Sequence, residues 1–477
     1  MLRPRPPRRS RVVIAFIALT ALLGATAPAA LANGGQGASL GANPYSPAYG
    51  HPYRHGVVPT IAGLQQMQAW ARSAGHSPFG SSKPLTYGGG IDGIGVTTGA
   101  EKVYLVFYGS QWGTQGTNST GDVTLSGDPS GEAPYLQELI KGLGTNGELW
   151  SGVMTQYCQG IATGAQSCPS SNAYHVAYPS GALAGVWVDE GAPSPSQATA
   201  AQLGQEAVNA AGHFGNTTAA ANRDAQYVIL SPTGTHPDGF NTPSGQFCAW
   251  HDWNGDSYVG VSSPYGDVAF TNMPYVTDMG TSCGQNFVNS GSSGTLDGVS
   301  IVEGHEYAET ITDQNPAGGW TDSSGNETGD KCAWILPGTT GGAFDLGLGT
   351  GSFAMQTTWA NDDNSGSGGC EGSHPIVTDP STAAPTVTGI SPTSGPATGG
   401  TTVTITGSGF TTGATVDFGT TASANVTFVS STSITATSPA GTAGTTVDVT
   451  VTTSNGTSSK SSADQFTYLA THGHGHH

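Results

Sequence analysis

Charge is what this chain has least of. Only 9% of its 477 residues are charged, and 13 Lys and Arg stand against 32 Asp and Glu, for a formal net charge of -19. Nucleic acid is gripped through clustered basic side chains, so this balance excludes it as a partner. No CxxC pair occurs, which leaves a zinc ribbon without its ligand spacing. After the N-terminal segment, no apolar run approaches the ~20 residues of a membrane helix, and no stable membrane anchor is expected.

What is present points to export. A basic stretch MLRPRPPRRSRVV, an apolar IAFIALTALLGATA and the small-residue site PAALAN predict a signal peptide over residues 1–32, cut after Ala32. Its loss removes Arg3, Arg5, Arg8, Arg9 and Arg11 and no acid, taking the charge from -19 to -24. The six cysteines all follow that point, and in an oxidising compartment they are expected to pair. Nearest neighbours in sequence give Cys158–Cys168, Cys248–Cys283 and Cys332–Cys370, one scheme of the fifteen that six cysteines allow. A secreted, extracellular protein follows.

Residues 33–95 read as a Gly/Pro-rich lead-in or propeptide with one helix, IAGLQQMQAWARSAG. In residues 96–375, KVYLVFYG, YVILSP, SYVGVSS and GDVAFTNMPYV read as strands, while YLQELIKGL and SQATAAQLGQEAVNAAGHFG read as helices. Such alternation predicts an α/β or α+β core. A Pro/Thr/Gly linker at 376–384 leads to alternating β-branched segments at 385–469, an all-β immunoglobulin-like sandwich. Its opening, PTVTGISPTSGPATGGTTVTITGSGF, resembles that of IPT/TIG domains. The tail, residues 470–477, carries His472, His474, His476 and His477, a composition that can bind metal weakly.

Chemistry concentrates in DGVSIVEGHEYAETITDQNP, a predicted helix capped by Asp297 and running to Thr312. Helical spacing puts His305 and Glu309 on one face, Asp313 a turn further on, and Glu306 beside them. In HExxH metalloproteases two such histidines hold zinc and the intervening Glu takes a proton from the activated water. Here Glu309 replaces the second histidine, giving HExxE, and further ligands come from WTDSSGNETGDKCAW: Glu327, 22 positions after His305, and Asp330. The expected metal set is therefore His305, Glu309, Glu327, Asp330 and Asp313 around Zn2+, with Glu306 as general base and Asp330 or Asp313 orienting His305. The competing reading is an acidic amphipathic helix whose Glu303, Glu306 and Glu309 face water.

Asp252, Asn254 and Asp256 alternate as in a calcium loop, making Ca2+ a second candidate cation against a plain polar turn. His236 and His251 flank them as candidate hydrogen-bond donors or surface residues. Gly280-Thr281-Ser282-Cys283-Gly284 matches GxSxG without the strand-turn-helix context of a serine hydrolase.

KVYLVFYGSQW, FCAWH, DGVSIVEGHEYAETITDQNP and GDKCAW, in this order over residues 101–370, resemble the EXORDIUM/phosphate-induced family. That resemblance implies a secreted, cell-wall-associated protein and assigns no definite catalysis. The expectation is a zincin-like core joined to an IPT/TIG sandwich: a secreted zinc metallopeptidase acting on extracellular protein or peptide. The alternative is a non-catalytic protein that binds cell-wall polysaccharide or glycoprotein through Trp112, Trp250, Trp253 and Trp320.

Overall fold

The structure is a computed structural model describing residues 43–74, 83–169, 174–377, 384–410, 414–430, 432–453 and 456–470. The expected signal peptide, the His-rich segment from residue 471 and most of the linker lie outside the described residues.

Six strands build the central sheet: β1 (His55–Pro59), β2 (Lys102–Tyr108), β3 (Leu183–Asp189), β4 (Ala225–Leu230), β5 (Phe247–Trp253) and β6 (Ala269–Met273). Their order is β1-β5-β6-β4-β2-β3. The four on the β6 side are mutually parallel; β1 and β5 join antiparallel. All six residues of β4 are buried, as a central strand covered on both faces requires. Period-2 alternation sends Val228 and Leu230 into one apolar cluster and Tyr227 and Ile229 into the other.

The described helices include α1 (Ile61–Ala74), α2 (Glu132–Gly142), α3 (Trp150–Met154), α4 (Ala200–His213), the short α5 (Ala219–Asn222) and α6 (Asp297–Thr312). Helix α4 starts at a capping box: Thr199 accepts from the Gln202 amide, and the Gln202 side chain returns the bond to the Thr199 amide. Its Leu203, Ala207 and Ala211 cover one sheet face. On the other face lie Val299, Val302 and Ile311 of α6, with Leu136 and Ile140 of α2. Each such fully buried Val, Leu or Ile contributes roughly 1.5–3 kcal/mol.

Several expectations need correction. Asp297 does not cap α6; it is the first helical residue, and its carboxylate accepts from the Val288 and Asn289 amides, tying down the preceding loop. No strand forms over SYVGVSS, because Asn254 bridges Val261 and Val268 and holds the segment as a turn. The lead-in supplies β1, so the sheet begins before residue 96. All three nearest-neighbour disulfides are present.

Residues 385 onward form two sheets. One orders Thr386–Ser391, Thr402–Ser408, Ser433–Thr437 and Val426–Ser430; the other is built around Thr446–Thr453. Val403, Ile405, Val416, Ile434, Val451 and Phe466 fill the space between. This is the all-β sandwich that the sequence predicts.

Candidate metal centre

Helix α6 is buried along its whole length, including Glu303, His305, Glu306 and Glu309. The water-facing amphipathic helix is therefore not what forms. On the expected face, His305 Nε2 lies 3.0 Å from Glu309 Oε2. The downstream loop brings Asp330 Oδ1 to 3.8 Å from His305 Nε2. From β5, His251 Nε2 approaches Glu327 Oε2 at 3.2 Å and Glu309 Oε2 at 3.8 Å. His305, Glu309 and Asp330 form one triad of potential metal donors, and His251, Glu306 and Glu309 form another.

The rest of each side chain is used up in holding these atoms in place. Glu309 Oε1 accepts from the Gly329 and Asp330 amides at 3.0 and 2.7 Å, which turns Oε2 toward the histidines. Asp330 Oδ2 accepts from the Glu327 amide at 3.0 Å, which presents Oδ1. His305 Nδ1 meets Gln356 Oε1 at 3.2 Å, and Gln356 is itself fixed through donation to the Gly329 carbonyl. A proton on Nδ1 then leaves Nε2 as the lone-pair donor. His251 Nδ1 faces Thr310 Oγ1 at 3.4 Å in the same manner.

Within this frame His305 Nε2, Glu309 Oε2, Asp330 Oδ1 and both Glu306 oxygens are buried without a hydrogen-bond partner. Buried polar groups are nearly always satisfied, so such a convergence has a cause. Zinc bonds of about 2.0–2.1 Å in a tetrahedron separate neighbouring donors by about 3.3 Å. The observed 3.0–3.8 Å separations bracket that value. The residues present thus fit a divalent ion.

Electrostatics agree. Burial raises Glu306, Glu327 and Asp330 well above the usual carboxylate range, and neighbouring acids, Glu309 among them, add to the effect. For His305 burial acts downward, but the Glu309 and Asp330 carboxylates and the Gln356 bond outweigh it and lift the imidazole to about 9. His251 moves well below its ordinary value through burial and the positive fields of His55 and His305. Burial thus favours the neutral form of Glu306, Glu327 and Asp330 relative to exposed acids. A dication would ionise those acids.

Asp313 is not offered as a donor: its carboxylate accepts from the Ala317 and Gly319 amides in the turn after α6. Nor does it orient His305, a role that falls to Gln356. His251 was legible only as a candidate hydrogen bonder; the signal that could have found it is FCAWHDW, a histidine inside a strand too apolar to be exposed. Asn254 is spent on backbone groups and cannot complete a calcium loop. Of the four tryptophans considered for stacking on sugars, Trp112, Trp250 and Trp320 are fully buried. Cys283 of the GxSxG segment is disulfide-bonded.

Comparison with known proteins identifies residues 385–468 as an IPT/TIG domain. No curated protein matches the chain. Among solved structures, the plexin A4 extracellular region (domains 1 to 8) aligns over 28% of this chain and 12% of its own, at 18% identity and TM-score 0.17. A gamma-CGTase from Alkalophilic bacillus clarkii aligns over 24% of this chain and 17% of its own, at 27% identity and TM-score 0.16. SGBP-B from Bacteroides uniformis aligns over 26% and 29%, at 21% identity and TM-score 0.14. The chain spans about an eighth of the plexin it matches.

Proposed function

We propose that the core is a secreted metal-dependent hydrolase whose helix chemistry is zincin-like, with peptide bonds of extracellular proteins as substrate and the IPT/TIG domain as an accessory module. One observation carries this reading: the unpartnered, buried His305 Nε2, Glu309 Oε2 and Asp330 Oδ1 converge at metal-donor spacing. His305, Glu309 and Asp330 would hold Zn2+, with His251 and Glu327 lining the same chamber. Zinc in such a place supplies Lewis acidity toward a carbonyl and acidifies water. Glu306, one residue from the ligand His305, takes the proton from the attacking water and passes it to the leaving amine. Its raised pKa suits the second of these steps. The disulfides and the N-terminal export pattern support secretion, and the EXORDIUM-like motifs support an extracellular setting.

The test is elemental analysis of the full chain with its four tail histidines changed to alanine. His305→Ala should lower zinc by about one per chain. Glu306→Gln should keep the metal and abolish hydrolysis of a peptide library. Zinc content unchanged by His305→Ala would overturn the reading.

A second reading, an extracellular polysaccharide-binding protein, is favoured by a cavity of about 380 Å³ that Tyr157 and Trp320 line together with Gln156, Gln166, Asn361 and Asp362. Its amide and carboxylate groups suit sugar hydroxyls, while the two buried rings only close the wall. Oligosaccharide titration that Asp362→Ala weakens would support it; equal binding by that variant, or none by the parent chain, would discard it.

A further inference from the structure

A second group of metal-type side chains lies behind the first. His55 on β1, Asp252 on β5 and Asp256 in the turn after β5 place one potential ligand atom each within 4.8 Å of one another. Strand alternation explains the placement. His251 points toward α6, so Asp252, the next residue, points to the opposite face of the sheet. On β1 it is Gly56 whose Cβ would point at His251 and Glu309, so His55, the residue before it, faces the same side as Asp252.

Asp252 supplies the independent observation. Its side chain is fully buried; Oδ1 accepts the Trp253 amide, while Oδ2 has no hydrogen-bond partner. Leaving a buried carboxylate oxygen dry and unpaired forfeits its solvation with nothing in return. A cation would remove that cost. Asp256 is already shaped by its own turn, where Oδ1 accepts the Tyr258 amide at 2.6 Å. Both His55 and Asp256 are only partly buried, which leaves an ion a way in.

We propose that His55, Asp252 and Asp256 form a second divalent-cation site that clamps β1 to the sheet. One imidazole with two carboxylates suits Zn2+ or Mn2+; calcium, which takes six to eight oxygens, is not served by this set. The clamp acts on the first site through the next residue. Gly56 adopts φ +51°, and a Cβ there would stand 2.0 Å from Glu309 Oε2 and 2.5 Å from His251 Nε2. Holding His55 therefore holds the backbone wall of the His251–Glu309 chamber. This consequence rests on the proposed hydrolase centre; the second site itself does not.

The experiment uses the full chain with its tail histidines changed to alanine, saturated with Zn2+ and freed of excess ion, with every variant checked for a cooperative melt. The parent should hold about two zinc ions per chain, Asp256→Asn and His55→Asn about one each, and the His305→Ala, Asp256→Asn double variant close to none. Asp256→Asn is the primary variant because that side chain is partly exposed. A parent with one zinc that is lost in His305→Ala and kept in Asp256→Asn and His55→Asn overturns the clamp and leaves the hydrolase centre standing. A parent with one zinc lost in Asp256→Asn and kept in His305→Ala does the reverse.

Discussion

His305 Nε2 and Glu309 Oε2 stand 3.0 Å apart across one turn of α6, yet neither atom has a hydrogen-bond partner. That spacing suits two ligands of the proposed divalent ion. Gln356 fixes the imidazole from behind, and the Gly329 and Asp330 amides fix the carboxylate.

Gln356→Leu should weaken metal binding by about 10- to 100-fold while the fold survives, because the ring loses its orienting acceptor. Competition against a calibrated chelator reads this directly. Affinity equal to that of the parent would show that Gln356 does not position the ring.

Metal affinity should fall as pH falls. Glu327 and Asp330 have pKa values raised well above the ordinary range, so protons compete for the ligands at a higher pH than for exposed acids. Release into a chromogenic chelator is expected to accelerate on acidification from neutral pH, and binding should expel protons, detectable as a buffer-dependent heat. Heats independent of the buffer would contradict it.

The metal-free chain should lose stability as pH rises. Burial, then the field of Glu101, lifts Glu303 to about 8, and burial lifts Glu101 to about 8 as well. A carboxyl that binds its proton more tightly when folded stabilises the protein below the unfolded value near 4.5, and this contribution fades as pH climbs through 8. Glu303→Gln should flatten that slope and stabilise the metal-free protein at pH 9 by on the order of a few kcal/mol. Denaturant melts across pH 5–9 measure it; a slope identical in both chains would refute the assignment.

Gly56→Ala is expected to cost on the order of 1–3 kcal/mol and to reduce metal content, since the added methyl falls on Glu309 and His251 and the backbone has positive φ. Thermal melts with and without zinc separate the two effects. Unchanged metal content would mean that β1 withdraws to make room.

Replacing Cys332 and Cys370 by alanine should destabilise by about 2–4 kcal/mol, since the bridge closes a loop across 38 positions. It should also loosen the loop bearing Glu327 and Asp330, so zinc dissociation quickens at temperatures where the fold persists. Dissociation at the parental rate would confine the bridge to global stability.

What could be read in the sequence was mostly local. The extent of α6 and the shared face of His305 and Glu309 follow from helical spacing, and the β-branched alternation after residue 385 announces a sandwich. The depth of α6 was not local: α2, α3 and the sheet close around it, so the charges of Glu303 and Glu306 say nothing about exposure until those neighbours are placed. His251 entered through strand register from a distant stretch of chain. Asp313 had the right spacing and the wrong backbone: the helix stops at Thr312, and φ -151° at Asp313 turns its carboxylate into the following turn.

The edge position of β1 gives the N-terminal segment a hold over the whole centre. A protease that trimmed the chain to residue 60 would take away His55 and Gly56 together and open the His251–Glu309 chamber to solvent, without touching a residue of α6. Under the proposed function, proteolytic survival of the five residues of β1 and retention of the metal would become one variable.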